Sequence, residues 1–475
     1  MSDTHFEPLG GMDRQFLEME NANTPMHVSG FSLYELDPLR SETGGVDFET
    51  FRKAIEGALE RIPRYRQKLA YTPIEGRPVW VDASDFELDY HLRHLSLPPP
   101  GGDEQLRQLV GWIVSQPLDL TRALWEMWVV EGVDHGRYFA VVTKMHHCMI
   151  DGGSGVNLMQ VLLRAKPEYR IPAAARFEPR PAPSRTELAT WEITRRLRTP
   201  LRLLGGLRRF GAENPNLPKA IGQRVGATAE LLANVLPAAK TPISGIELGP
   251  HRRVDWLEMS FDEVTTLKRT LGCSLNDLVL TLVASALRRY LGRRGVDLDG
   301  LDFRVSIPVN VRSESDDGKM GNRTSSWIVP MPLCDPSPLG QLAAITRQTG
   351  ELKHSNQAIA IEMMMAAAEE VPALLKLAAR ATQGQISMVV TNVPGPTVPL
   401  YLLGCKALSM QPLVPLFPGV GIGVAILSYD GTLFWGFQAD YDHVPDLRRF
   451  VEDVREAKLA LEQGKRDRGS VRRSG

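Results

Sequence analysis

The sequence predicts an α/β chain, in the broad sense that includes α+β, organised as two domains. Three observations carry that expectation. A chain of 475 residues is too long for one ordinary hydrophobic core. Helix-like and strand-like patterns alternate in both halves. Between the halves, at "KPEYRIPAAARFEPRPAPSR", the composition shifts to proline, alanine and arginine. The expected division is an N-terminal domain over 1–175, a linker over 176–250, a C-terminal domain over 251–464 and a basic, disordered tail over 465–475.

The elements follow in order. Phe48, Phe51, Ile55, Leu59 and Ile62 recur at helical spacing behind Asp47, and Pro63 ends the run. "RYFAVVTKMHH" reads as a buried strand, rich in valine and aromatics. Gly152 and Gly153 break it, and Asp151 or Ser154 is placed to cap a helix through "VNLMQVLLRA". After the linker, "SFDEVTTLKRTLG" reads as a short helix closed by Gly272. "SLNDLVLTLVASALRRYLG" reads as a longer one, opened by a capping box of Ser274 and Asp277. "GIGVAILSYDGTLFWGFQAD" predicts a hairpin turning at Asp430-Gly431. "PDLRRFVEDVREAKLAL" predicts an amphipathic final helix.

Bulk properties exclude several classes. Hydrophobic residues make up 43% and charged residues 23%, which is a globular composition. A net charge of −1 gives no global footprint for nucleic acid. Cys148, Cys273, Cys334 and Cys405 lie far apart without a CxxC pair, so reduced thiols in a cytoplasmic protein are expected. "MSDTHFEPLGGMDRQF" lacks the basic and apolar regions of a secretory leader. No apolar run reaches the roughly 20 residues that span a bilayer.

The chemistry concentrates in "KMHHCMIDGGSG", Lys144 to Gly155. Adjacent residues on a strand point to opposite faces, so His146 and His147 do not easily share one metal ion. No HExxH and no Cys/His cluster at zinc spacing is present. A pair of histidines at a strand end reads either as core packing or as an acid–base device. Imidazole suits the second because its ordinary pKa, roughly 6.5, lies near neutrality. Asp151 beyond the turn either orients an imidazole or pairs with an arginine to brace the turn. "GGSGV" is not a GxSxG nucleophile elbow, since Val156 stands where the last glycine belongs. Cys148 reads as a small packing residue. "DDGKM" is not a phosphate-binding loop, and "GVGIG" enters a strand, where close backbone approach explains its glycines.

"HHCMIDG" matches the HHxxxDG signature of the superfamily that includes chloramphenicol acetyltransferases, peptide-synthetase condensation domains and polyketide-associated acyltransferases. From end to end the chain resembles the bacterial wax ester synthase / acyl-CoA:diacylglycerol acyltransferase family. The matching pieces are "MDRQFLEMENANTPMHVSG", "RALWEMWVVEG", "SLNDLVL", "SIPVNVR", "GNRTSSW", "TNVPGP" and "SYDG…AD", in the family's order. Two departures are visible: Ala123-Leu124-Trp125 where Pro-Leu-Trp is common, and Cys148 where alanine often follows the second histidine. Neither removes a chemical group.

The resemblance implies a pseudo-dimer of two chloramphenicol-acetyltransferase-like domains with a central channel. It implies acyl-CoA as a substrate, with no cofactor, and diacylglycerol or a long-chain fatty alcohol as acceptor. His147 corresponds to the general base of a direct transfer and His146 to the less essential first histidine. Asp151 corresponds to the residue that holds the turn, with Gly152 in support. Asn276 and Asp277 match the family's "ND" pair, although capping the helix accounts for them equally well. A carrier-protein donor, or a non-catalytic lipid-droplet protein, is the competing expectation. The arginine- and leucine-rich stretch from Trp191 to Arg209 suits either an interfacial helix, interrupted at Pro200 and Gly205-Gly206, or a solvated linker. The first reading puts a cytoplasmic protein on the inner membrane face or on lipid inclusions.

Overall fold

The computed structural model describes residues 5–149, 158–171, 177–213, 238–310, 324–353 and 384–471. The first half runs β1 (Glu7–Pro8), α1 (Gly11–Met19), β2 (His27–Glu35), α2 (Phe48–Leu59), β3 (Gln67–Tyr71), β4 (Pro78–Asp82), α3 (Leu88–His91), β5 (Leu92–Ser96), α4 (Asp103–Ser115), β6 (Trp125–Val133), β7 (Tyr138–His146), α5 (Leu158–Leu162) and β8 (Leu163–Arg164). A long helix, α6 (Arg185–Glu213), follows. The second half holds β9 (Arg252–Ser260), α7 (Phe261–Leu271), α8 (Leu275–Arg293), β10 (Arg304–Asn310), β11 (Thr324–Pro330), α9 (Pro338–Lys353), β12 (Met388–Val393), β13 (Tyr401–Leu402), β14 (Cys405–Leu413), β15 (Ile422–Tyr429), β16 (Thr432–Asp440) and α10 (Leu447–Val471).

Local chemistry sets these boundaries. The Asp47 carboxylate accepts from the Thr50 N–H at 3.0 Å and opens α2. Gly272, at φ 67°, closes α7 in the left-handed region. Ser274 and Asp277 cap α8 reciprocally, at 3.0 and 3.1 Å. Asp430 and Gly431 both take positive φ, 43° and 78°, which is the backbone of a primed two-residue turn between β15 and β16. At the "GVGIG" stretch, a Cβ on Gly421 would lie 2.8 Å from the Ile243 carbonyl oxygen, so close approach does explain a glycine there.

Each half wraps a sheet. The first sheet has the order β5-β6-β7-β2-β14-β13-β8 and the second β11-β10-β12-β15-β16-β9. A small sheet, β1-β4-β3, flanks the first half. In the second half α8 is apolar almost all round and buried, with Leu278, Val283, Ala284 and Leu287 at 0% exposure. It forms the centre of a core closed by β15, β16 and α10.

Three expectations need correction. α6 is a single helix through Pro200 and Gly205-Gly206. One proline removes one ladder donor, and that loss, ~3 kcal/mol in a helix interior, bends or weakens a long helix without ending it. The basic tail is helical as far as Val471, because extending an existing helix avoids a new nucleation. The helix expected through "VNLMQVLLRA" has its described part at Leu158–Leu162 only. Leu163 and Arg164 instead pair with Leu402 and Tyr401 as strand.

The halves also exchange chain. β14 comes from the second half but pairs with β2 of the first, from Ala407 opposite Tyr34 to Leu413 opposite Ser29. A boundary drawn at 251 therefore divides the sequence but not the sheets. On the other side of the junction α4 packs on β9, where Arg107 donates to Asp255 at 2.7 Å and Arg252 N–H donates to Ser115 Oγ at 2.8 Å.

Candidate active site

β7 delivers the two histidines. Its last residue, His146, stands opposite His27 of β2, and His147 opens a short 3-10 turn, His147–Met149. The strand alternation thus ends between them. Both rings meet the C-terminal end of α1, through Phe16 of its last turn and Glu20, the residue that caps it.

His146 is fully buried and engaged at both nitrogens. Nδ1 accepts from the Cys148 N–H at 3.1 Å, so the ring proton sits on Nε2, which donates to Glu20 Oε2 at 3.1 Å. The other Glu20 oxygen accepts from Met26 N–H at 3.3 Å, and Met26 in turn accepts from His147 N–H at 2.8 Å. Neither nitrogen of His146 has a lone pair left for a metal or a substrate proton.

His147 differs. It is partly exposed, and Phe16 stacks on it with ring centroids 3.6 Å apart and planes at 19°. Phe417, from the loop before β15, lies 6.4 Å from Phe16. Burial against these surroundings, and then the neighbouring His146, hold its pKa down at about 4. The ring is therefore neutral at physiological pH, with a lone pair for a hydroxyl proton.

A pH consequence follows. If His147 is the base, kcat/KM should stay flat as pH falls to ~5 and decline only near the folded pKa of about 4. An unperturbed histidine would give its acid limb near 6.5. Stability moves in the same window. His147, His27 and His91 all have folded pKa values below the ordinary one, with burial the largest cause each time. Their unfolded forms take up protons first, so stability is full above ~6.5 and falls as pH drops toward the folded values. Melting temperature against pH, together with activity regained on return to neutrality, separates the two effects. An acid limb at 6.5 in folded protein would count against His147 as base.

The strand that carries His147 is pinned beneath. Lys144, two residues before His146 and fully buried, pairs with Glu126 at 3.0 Å and donates to the carbonyls of Ile113 and Gln116 at 3.3 and 2.9 Å. His27 Nε2–H donates to Val114 O at 2.9 Å. Two side chains thus cap carbonyls at the C-terminal end of α4. Arg252 closes the junction from β9, donating to Gly249 O and to Asn23 O beside α1.

Asp277 and Asn276 lie in the second half and bond there. Asp277 caps α8 and accepts from Thr349 Oγ1 at 2.6 Å; Asn276 Oδ1 accepts from Asn392 Nδ2 at 2.8 Å. Among the described residues their partners are structural, and neither bonds to a histidine. Asp151 and Gly152 lie outside the described residues. Cys148 is buried at 2% exposure, and burial raises its thiol pKa well above the ordinary value. The residues that sequence reasoning missed are Glu20, Phe16, Lys144 and Glu126. Glu20 and Phe16 stand inside the quoted stretch "MDRQFLEMENANTPMHVSG", but nothing in its spacing points to a histidine pair so distant in sequence.

The profile of the wax ester synthase/diacylglycerol acyltransferase catalytic domain matches residues 9–279, and that of the WS/DGAT C-terminal domain matches residues 320–462. The chain belongs to the wax ester synthase/diacylglycerol acyltransferase family. It is an acyltransferase of that family, and its HHxxxDG histidines are the pair described above. A putative diacylglycerol O-acyltransferase of Mycobacterium tuberculosis is 31% identical over 481 residues, covering 95% of this chain and 89% of the relative. A probable diacylglycerol O-acyltransferase of the same organism, tgs1, is 28% identical over 477 residues, covering 98% of both. Among solved structures, the wax ester synthase/diacylglycerol acyltransferase of Marinobacter aquaeolei VT8 superposes with a TM-score of 0.67 at 22% identity, covering 97% of this chain and 99% of that one. The first condensation domain of the calcium-dependent antibiotic synthetase gives 0.59 at 16%, covering 97% of each chain. The expected architecture of two condensation-like α/β domains in a pseudo-dimer stands.

Proposed function

We propose that this acyltransferase moves a fatty acyl group from acyl-CoA to a hydroxyl, of diacylglycerol or of a long-chain fatty alcohol, by direct transfer with His147 as general base. His147 takes the hydroxyl proton while the oxygen attacks the thioester carbonyl. The C–S bond then breaks, and the imidazolium returns the proton to the departing CoA sulfur. No cofactor enters this scheme. The observation that carries the reading is the contrast between the two rings: one buried and bonded at both nitrogens, the other neutral, partly exposed and stacked on Phe16. The relatives named for diacylglycerol acylation support the acceptor class. Such acceptors are nearly insoluble in water, so the enzyme works peripherally, at the inner membrane face or on lipid inclusions.

The test is an acceptor panel with one acyl-CoA: hexadecanol, dioleoylglycerol, monoacylglycerol and water. A carrier-protein thioester is run beside the CoA donor. Turnover with the carrier donor alone would overturn the donor assignment.

Direct transfer makes a further expectation. Cys148→Ala should retain activity within about twofold, because the buried thiol serves packing and Cys→Ala removes little volume. Intact mass after mixing with acyl-CoA alone should show no acyl adduct. An adduct lost in Cys148→Ala would replace the direct mechanism with a covalent one.

A further inference from the structure

One side chain touches the chain on both sides of the histidine motif. Tyr65 lies in the 3-10 turn Pro63–Arg66, between α2 and β3, and is buried at 7% exposure. Its hydroxyl donates to Met145 Sδ at 3.1 Å and accepts from Leu158 N–H at 3.1 Å. Met145 directly precedes His146 on β7, and Leu158 is the first residue of α5. A single oxygen atom thus joins the two residues that flank "HHCMIDGGSGVN" in the sequence. The first N–H groups of a helix have no partner within it, and a buried one needs an acceptor from outside. Leu158 is buried, and Tyr65 supplies that acceptor. Burial pushes the Tyr65 phenol up to about 12, so the hydroxyl keeps its proton and its bond to the sulfur across the working pH range.

Tyr65 is itself held at two points. Trp125 Nε1–H donates to Tyr65 O at 2.7 Å, and the two rings pack with centroids 5.3 Å apart. Trp125 stands opposite Met145 across β6 and β7. It stacks in turn on His91, with centroids 4.9 Å apart and planes at 19°, and its carbonyl accepts from His91 Nδ1–H at 2.8 Å. Phe86 stacks on His91 as well. A tyrosine fixed at its backbone and along its ring presents its hydroxyl at a fixed place. Packing alone does not call for that hydroxyl, since phenylalanine would fill the same space.

We propose that Tyr65 is a positioning residue for the acyl transfer: its hydroxyl ties Met145 to Leu158 and thereby fixes where His147 stands relative to the reacting hydroxyl. This rests on the reading of His147 as general base. The β2–β7 ladder ends at His146. Beyond it, the restraints on His147 among the described residues are the backbone bond to Met26 O and the stack on Phe16. Both act from the α1 side. The Tyr65 hydroxyl acts from the α2 side and binds the far end of the motif segment back to the strand. A base works only within hydrogen-bond reach of the proton it takes, and a misplacement of about 1 Å costs on the order of 100-fold in rate.

Tyr65→Phe removes one oxygen atom and keeps the ring. With the purified full chain, one acyl-CoA and hexadecanol or dioleoylglycerol, its kcat should fall by roughly 10- to 100-fold while KM stays within about twofold. Its melting temperature should fall by no more than about 4 °C, because one buried N–H loses its acceptor. A residue that only caps α5 would give the same melting shift, so the rate is read in a second background. In His147→Ala, adding Tyr65→Phe should cost less than about twofold more, since the base it positions is already gone. Met145→Leu, which keeps the volume and removes the sulfur, should lose less kcat than Tyr65→Phe, because a thioether is a weak acceptor. Parent-like kcat in Tyr65→Phe would overturn the proposal. So would an equal fold-loss in both backgrounds, which marks a purely structural residue, or a loss confined to KM, which marks a substrate contact. A larger loss in Met145→Leu than in Tyr65→Phe would move the effect to the packing of Met145. Parent-like turnover in His147→Ala alone would sink the general-base reading and this proposal with it, whereas a crippled His147→Ala beside a parent-like Tyr65→Phe would sink this proposal only.

Discussion

His147→Ala should lower turnover by roughly two to four decades, the range over which a positioned general base acts, while the protein melts close to the parent temperature. The asymmetry comes from what each ring leaves behind. Removing His147 takes away a partly exposed ring whose side chain contributes a stack on Phe16 and whose backbone N–H keeps its bond to Met26. Removing His146 empties a fully buried position. It deprives the Glu20 carboxylate and the Cys148 N–H of their partner together. An unsatisfied buried group costs about 1–3 kcal/mol, more when charged, so His146→Ala should lose stability first and activity through it. Glu20→Gln provides a control, because its amide oxygen can still accept from His146 Nε2–H and its stability should lie nearer the parent. Circular dichroism melts and steady-state rates on the three variants decide the matter. Equal and complete losses of activity in both histidine variants, with both folded, would end the single-base assignment. Clear residual turnover in His147→Ala would do the same.

How much of this was legible in the sequence depended on how local each feature is. The strand ending at His146, the turn at Asp430-Gly431 and the capping box at Ser274 and Asp277 are set within a few residues, and periodicity and turn chemistry exposed them. The partner of His146 lies 126 residues away, just past the end of α1, beyond any pattern a single chain displays. The exchange of β14 into the first sheet was equally hidden. Alternating burial shows that a strand has a packed face, not which sheet it joins. In the linker, composition misled. Arginines among leucines suggested a wholly solvent- or lipid-facing helix, but Glu192 and Arg195 are buried against the β3–β4 turn. A carboxylate that satisfies three donors at a turn looks, in sequence, like any surface glutamate.

Lys144→Met should be strongly destabilising, by about 3–5 kcal/mol in denaturant unfolding. Methionine fills nearly the same volume, so packing is largely kept and the loss is electrostatic. The ammonium is fully buried, and the carboxylate of Glu126, 3.0 Å away, is 9% exposed. Without Lys144 that carboxylate keeps, among the described residues, the Trp128 indole N–H at 3.1 Å. The carbonyl of Gln116 loses this donor at the same time, and that of Ile113 falls back on the Gln116 N–H at 3.3 Å, which loosens the end of α4. α4 is also the helix that meets β9, so the disturbance reaches the junction between the halves. The double variant Lys144→Met, Glu126→Gln should recover much of the loss, because no charge is then buried unpaired. If the double variant is no more stable than the single one, the capping of α4 and not the ion pair supplies the energy. A Lys144→Met protein within about 0.5 kcal/mol of the parent would show that β7 is held without either. Since β7 positions His147, a destabilised but folded Lys144→Met should also lose kcat more than it raises KM, as expected when a base is mispositioned and substrate contacts remain.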